Sequence, residues 1–352
     1  MKLFTCDHCG NTIYFENAVC ERCGHQLGYL PEHNAMVSLV QADGAWSSPA
    51  FPLENYVFCA NSQYGACNWL IPAAPGGDIF CAACRHNETI PAIDDPLNLA
   101  RWQVIERAKK RLFYSLLRLH LPLETRTENP DHGLSFRFLA DQPVGPGPVM
   151  TGHENGIITI ALAEADDAER EARRTSMGEP YRTLLGHFRH EIAHHYWDLL
   201  VDNRPALAPY RALFGDERAD YGAALQAHYR NGAPAGWPQH FISAYATSHP
   251  WEDFAETFAH YLHITDTVEM ASAFGVRARP RTDDEHLALR VDFDPYQQGD
   301  VETIVDNWVP LASMLNNLNR AMGHPDAYPF VLTPEVIEKL SYIHQLVHGR
   351  LT

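Results

Sequence analysis

Cysteine is missing from this 352-residue chain after position 84, and nowhere does the chain carry an uninterrupted apolar run of the ~18 residues that a membrane-spanning helix needs. The first absence confines thiolate chemistry to the N-terminal region, and the second excludes a transmembrane helix. The opening Met1-Lys-Leu-Phe-Thr-Cys6 also lacks the apolar stretch of a secretory signal, so the expected compartment is the cytoplasm. Basic residues are scarce at this end: residues 1–95 hold Lys2, Arg22 and Arg85 against ten Asp and Glu. Nucleic-acid affinity rests on neutralising phosphates with such groups, and the whole chain has a formal net charge of −17, so no nucleic-acid partner is expected. What is present is 45% hydrophobic, enough for the cores of two or three domains.

The most informative stretch is His190-Glu191-Ile192-Ala193-His194. A helix turns once every 3.6 residues, so His190 and His194 share a face and one metal can reach both imidazoles. Glu191 lies beside the first, where it can act as general base on a metal-bound water. Apolar residues at 184, 185, 188, 192, 193, 196, 197 and 200 have helical rather than alternating spacing. A metzincin would need Gly at 197 and His at 200, but Trp197 and Leu200 stand there, which excludes that class.

A gluzincin takes its third ligand, a Glu, from a second helix. The segment Tyr245-Ala-Thr-Ser-His-Pro-Trp-Glu-Asp-Phe-Ala-Glu-Thr-Phe258 offers one: Pro250 suits a first helical turn, with Ser248 or His249 near the cap. Glu252 and Glu256 lie on one face. Glu252 is placed to bind zinc, and Glu256 to accept a hydrogen bond from the far nitrogen of a ligand His, fixing its orientation. His187 and His195 are read as surface or supporting residues, since two His, a Glu and a water complete a catalytic zinc. His260, a turn beyond Glu256, is a possible substrate contact, and Asp216 or Asp220 a possible partner for a ligand His.

Tyr245 through Phe258, read with His190-Glu-Ile-Ala-His194, resembles the catalytic core of gluzincin metallopeptidases of the anthrax lethal factor type. In that family a Tyr seven residues before the ligand Glu points into the site and stabilises the oxyanion, and the resemblance gives that role to Tyr245. With its cysteine-rich N-terminus, the chain also resembles bacterial zinc-binding metallopeptidases that carry an N-terminal zinc ribbon. The resemblance covers the two helices and the Tyr, and it implies hydrolysis of a peptide bond without naming a substrate.

Cys6-Asp-His-Cys9-Gly and Cys20-Glu-Arg-Cys23-Gly are two C-x-x-C-G knuckles, the pattern of a ribbon-type zinc site. Cys59, Cys67, Cys81 and Cys84 supply a second set, with Cys81-Ala-Ala-Cys84 a third knuckle. A disulfide framework would need an oxidising compartment; metal-bound thiolates fit the cytoplasm better.

Periodicity predicts helices over 97–121, 180–201, 216–231, 236–247, 250–264, 300–322 and 333–348. Strands are expected at 134–140 and 156–162, around a Pro/Gly loop at 143–148, and 275–299 reads as an Arg-containing loop. The strand at 156–162 is a candidate for the edge strand that pairs with an extended substrate in zincins. The expected fold is therefore α+β: a zinc-ribbon module over 1–95 with two four-cysteine zinc sites, then a mainly helical zincin-like metallopeptidase domain over 96–352 with a small sheet. One catalytic and two structural Zn²⁺ are expected, with a peptide or protein substrate. A catalytically silent zinc-binding adaptor and an amidase or isopeptidase are the alternatives.

Overall fold

The computed structural model describes residues 1–42, 44–141, 149–171, 183–281 and 285–351, and the chain packs as two units, residues 1–170 and 171–352. The architecture is α+β, with most strands in the first unit and most helices in the second.

The first unit opens on a two-stranded ribbon, β1 (Phe4–Thr5) with β2 (Thr12–Ile13). An antiparallel five-stranded meander follows in chain order: β3 (Gln26–Leu30), β4 (Ala35–Ala42), β5 (Ala45–Ser48), β6 (Phe51–Phe58) and β7 (Leu70–Pro72). Leu30, Val37, Leu39, Tyr56 and Leu70 form its core. No strand is legible here from the sequence, because the inward apolar positions are few and Pro52 to Asn55 of β6 are all exposed.

A second sheet has the order β10–β11–β9–β8, with β8 (Asn87–Thr89), β9 (Ser135–Leu139), β10 (Gly152–Glu154) and β11 (Ile157–Ala161). β11 is antiparallel to β10 and parallel to β9. The segment expected as a substrate-pairing edge, 156–162, is thus an interior strand with both sides hydrogen-bonded, and β10 is the edge. The expected loop at 143–148 lies outside the described residues. Helix α1 (Pro96–Arg118) starts where Asp95 accepts from the Leu97 N–H. It packs Tyr114 against Tyr29 of β3 at 6.5 Å and Phe113 against Phe136 of β9 at 5.9 Å, which joins the meander to the second sheet. Residue 95, the expected boundary, lies inside this unit.

The second unit contains α2 (Leu184–Leu200), α3 (Leu207–Phe214), α4 (Tyr221–Asn231), α5 (Pro250–Ala273), α6 (Val301–Ala321) and α7 (Pro334–Val347). Thr183 caps α2 through the Gly186 N–H; residues 180–182 of the expected helix are outside the described set. α4 begins at Tyr221 rather than 216, because Asp220 is its N-cap and accepts from the Ala223 N–H. Asp216 pairs with Arg218 at 2.7 Å. Neither acid is spare to orient a ligand His.

The helix expected over 236–247 is instead two 3-10 turns, Trp237–Gln239 and Tyr245–Ser248. Gly236 takes a left-handed φ of 80° just before the first of them, and Pro238 has no N–H to continue a ladder. α5 runs well past the expected 264, since Ile264, Val268 and Ala271 extend its buried stripe. Within 275–299 a short ribbon forms between β12 (Arg277–Ala278) and β13 (Leu289–Arg290). The core of the unit is aromatic: Tyr196 of α2 stacks on Phe258 of α5 at 5.9 Å, and Phe254 meets Tyr210 and Phe214 of α3. No helix among the described residues is long and apolar enough to cross a membrane.

Candidate active site

Packing of α2 on α5 sets the geometry. His190 and His194 leave one face of α2, and Glu252 leaves the first turn of α5, where Pro250 fits without a backbone donor and His249 caps by accepting from the Trp251 N–H at 3.1 Å. His190 Nε2 and His194 Nε2 are 3.2 Å apart, and Glu252 Oε2 stands 2.9 Å from the first and 3.6 Å from the second. A tetrahedral zinc with bonds of about 2.1 Å has ligand–ligand edges of about 3.4 Å. The three atoms therefore form one face of such a tetrahedron, and the donor set of two imidazoles and a carboxylate is one that zinc accepts.

Each ligand candidate is held from behind. His190 Nδ1 is 2.8 Å from Glu256 Oε1, and Glu256 Oε2 accepts from Ser243 Oγ at 2.6 Å. The ring of His194 lies 3.9 Å from that of Trp251. Glu252 Oε1 accepts from the Tyr221 hydroxyl at 2.6 Å. The residue after it, Asp253, is buried against Lys339 Nζ at 2.7 Å, and the same ammonium donates to the His240 carbonyl at 2.7 Å, which fixes the first turn of α5. Burial pushes the Glu252 carboxyl up, but His194 and His190 beside it reverse this and hold it well below the usual carboxylate range.

Glu191 is half-buried and has no hydrogen-bond partner among the described residues. Tyr245, on its 3-10 turn, has its ring 5.9 Å from that of His190 and 6.0 Å from that of His228, perpendicular to the latter. Burial, then the Glu252 charge, raises the pKa of its phenol far above the ordinary value, so it stays an O–H donor. Other histidines are occupied elsewhere. His260 is buried with Nδ1 2.7 Å from the Tyr328 hydroxyl, which removes it as a substrate contact. His195 is buried beside Tyr196, and His187 is half-buried.

The structure thus brings together His190, His194, Glu252 and Glu256, with Glu191 beside His190 on α2 and Tyr245 against the His190 ring, whereas His260, Asp216 and Asp220 are engaged elsewhere. It adds Tyr221, Ser243 and Lys339. Nothing in local spacing signals these three, since they reach the site from α4, from a turn and from α7.

The cysteines form two further groups, Cys6/Cys9/Cys20/Cys23 and Cys59/Cys67/Cys81/Cys84, with the sulfurs of each within 4.8 Å of one another. Sulfur separations of 3.8 Å (Cys6–Cys23), 3.6 Å (Cys9–Cys20) and 3.7 Å (Cys67–Cys81) are far beyond a disulfide's ~2.05 Å. They match the edge of about 3.8 Å in a tetrahedron of 2.3 Å zinc–sulfur bonds. In the first group, Gly10 and Gly24 donate to the Cys6 and Cys20 carbonyls at 2.8 Å with φ of 73° and 75°, the left-handed turn that lets each knuckle close. The second group is more buried and lies against α1. Lys110 Nζ sits 3.8 Å from Cys84 Sγ and 2.8 Å from both the Ala66 carbonyl and Glu106 Oε2, and Glu106 Oε1 accepts from Lys109 and Asn87.

Comparison with known proteins finds two matching segments. Residues 3–95 match a zinc-ribbon domain family, and residues 98–346 match the family described as "Putative zinc-binding metallo-peptidase". Uncharacterized proteins of Mycobacterium tuberculosis and Mycobacterium bovis are 43% identical over 348 residues, covering 99% of this chain and 95% of theirs. No solved structure matches. With a zinc ribbon ahead of a matched segment that contains both helices of the His190/His194/Glu252 group, the chain belongs to the zinc-binding metallopeptidase family of that description.

Proposed function

We propose that the protein is a zinc-dependent metallopeptidase of the gluzincin arrangement, similar at its centre to the anthrax lethal factor type. His190, His194 and Glu252 bind the catalytic metal, and Cys6, Cys9, Cys20, Cys23 and Cys59, Cys67, Cys81, Cys84 bind two structural zincs. Residues 1–95 act as the ribbon module and 96–352 as the peptidase domain. Metal-bound thiolates suit a reducing cytoplasm. The observation that carries the reading is the triangle of His190 Nε2, His194 Nε2 and Glu252 Oε2, with edges of 2.9 to 3.6 Å and an unengaged carboxylate, Glu191, on the same helix.

Zinc held by these residues would supply Lewis acidity, which makes a water more acidic and a scissile carbonyl more electrophilic. Glu191 takes the proton released by that water and returns it to the leaving amine. As the water oxygen bonds to the carbonyl carbon, the Tyr245 phenol, kept protonated, donates to the negative charge that develops on the carbonyl oxygen. Glu256, backed by Ser243, holds the Nδ1 proton of His190 and so presents Nε2 as the ligand atom. A peptide or protein amide bond is the substrate class.

Glu191→Gln keeps the ligands and the shape but removes the base. Hydrolysis of a broad peptide library should fall by about 10²–10⁴-fold with zinc content unchanged. Wild-type turnover in that variant would refute the mechanism. A wild-type protein that binds three zincs yet cleaves nothing would instead favour the silent adaptor.

A further inference from the structure

The two oxygens of Glu252 are treated differently. Oε2 faces the imidazole pair at 2.9 and 3.6 Å, whereas Oε1 accepts a 2.6 Å hydrogen bond from the Tyr221 hydroxyl. A bond of that length from a phenol to a carboxylate is of the short, charge-assisted kind. Tyr221 is the first residue of α4, a helix with no buried residue. Its ring packs edge-on against His249 and Trp251, 5.3 and 5.9 Å away, the two residues that begin the turn carrying Glu252. α4 is further tied to the site where His228 Nδ1 meets Thr247 Oγ1 at 3.2 Å. The helix is otherwise a surface element, so its most specific bond goes to a residue of the metal group.

Tyr221 belongs to no motif of the chain, and the family description gives it no role. We propose that Tyr221 is a positioning residue for the metal site: it anchors Oε1 of Glu252, so that Oε2 alone is presented to the ion and the remaining coordination position stays open for water. A carboxylate free at both oxygens can rotate out of line with the histidines or close on the metal with both of them. Catalytic zinc sites use three protein ligands and leave the fourth position to water, and hydrogen-bonded partners of the ligands set that geometry. The inference rests on the His190/His194/Glu252 zinc site proposed above.

The test uses the full-length protein with zinc, the Tyr221→Phe variant, Tyr245→Phe as a second phenol that makes no bond to Glu252, and His194→Ala. Zinc stoichiometry is measured by elemental analysis, and affinity at the most weakly held site by competition with a chromophoric chelator. Wild type should hold one more zinc than His194→Ala. Tyr221→Phe should weaken that zinc by about 10–100-fold, leaving the thiolate-bound zincs and the circular dichroism spectrum unchanged, while Tyr245→Phe leaves the affinity as it was. Wild-type affinity in Tyr221→Phe would overturn the inference and leave the zinc site standing. Loss of thiolate-bound zinc in Tyr221→Phe would overturn it too, by making Tyr221 a packing residue. Equal stoichiometry in wild type and His194→Ala would overturn the zinc site itself, and the inference with it.

Discussion

The cysteine clusters and the His190/His194/Glu252 group present metal donors under opposite constraints. A four-thiolate site encloses its ion and leaves no position for a reactant, and four thiolates around Zn²⁺ carry net negative charge. In the first cluster Cys9 and Cys23 are partly exposed, so that charge borders solvent. In the second, Cys59, Cys81 and Cys84 are buried, and the Lys110 ammonium is brought against Cys84 instead. The His/His/Glu group has fewer donors and less charge, with the Glu191 carboxylate beside it free of hydrogen bonds among the described residues. Closure with charge neutralisation suits an ion that holds a fold; an open corner beside a base suits one that does chemistry.

The sharpest way to break that contrast is to remove one ligand from each kind of site. Cys81→Ser should lose a zinc and unfold residues 1–170, because structural zinc contributes roughly 10 kcal/mol or more, as much as a whole domain's stability. His194→Ala should also lose a zinc but keep its fold. Near-ultraviolet circular dichroism and limited proteolysis read both, and unfolding of His194→Ala would erase the distinction. A smaller effect is expected at the counter-charge. Lys110→Met leaves Glu106 buried with one fewer partner and should cost about 3–5 kcal/mol in chemical denaturation; adding Glu106→Gln should recover part of it. If Lys110→Met is neutral, the second cluster needs no cation.

The smallest effect concerns pH. Burial lowers the pKa of His260 from 6.5 to about 4, so on acidification the unfolded chain takes up a proton before the folded one. The stabilising effect of the neutral, buried ring is complete above pH 6.5 and drains away as pH falls towards 4, at up to about 1.4 kcal/mol per unit. Denaturation midpoints of wild type and His260→Gln across that window should converge at the acid end. Parallel curves would show that His260 is not the group responsible.

Much of the candidate site was legible because helices make chemistry periodic. His190 and His194 are one turn apart, as are Glu252 and Glu256, and Pro250 marks where their helix begins. The knuckles were legible for a similar reason, since short loops keep both sulfurs local. Tyr221 was not, because it meets Glu252 from another helix across 31 residues of chain and looks like any surface tyrosine. Lys110 and Glu106 have the four-residue spacing of any helix ion pair, and only their burial against Cys84 sets them apart. The meander was invisible because its strands do not share one apolar–polar alternation: β3 is buried at four successive positions and β6 exposed at four. The edge-strand expectation for 156–162 failed because alternation reveals a strand but not its neighbours.

The parallel pairing of Asn87 and Thr89 with Phe136 and Arg137 bears on how the molecule can be divided. Family boundaries fall between residues 95 and 98, yet the backbone bonds of one sheet cross that line. A peptidase half expressed from residue 96 would have β9 stripped of a neighbour, a row of unsatisfied donors and acceptors ready to recruit another chain. A ribbon cut at residue 95 is therefore no detachable bead, since it would carry off a strand that belongs to the sheet of the segment after it.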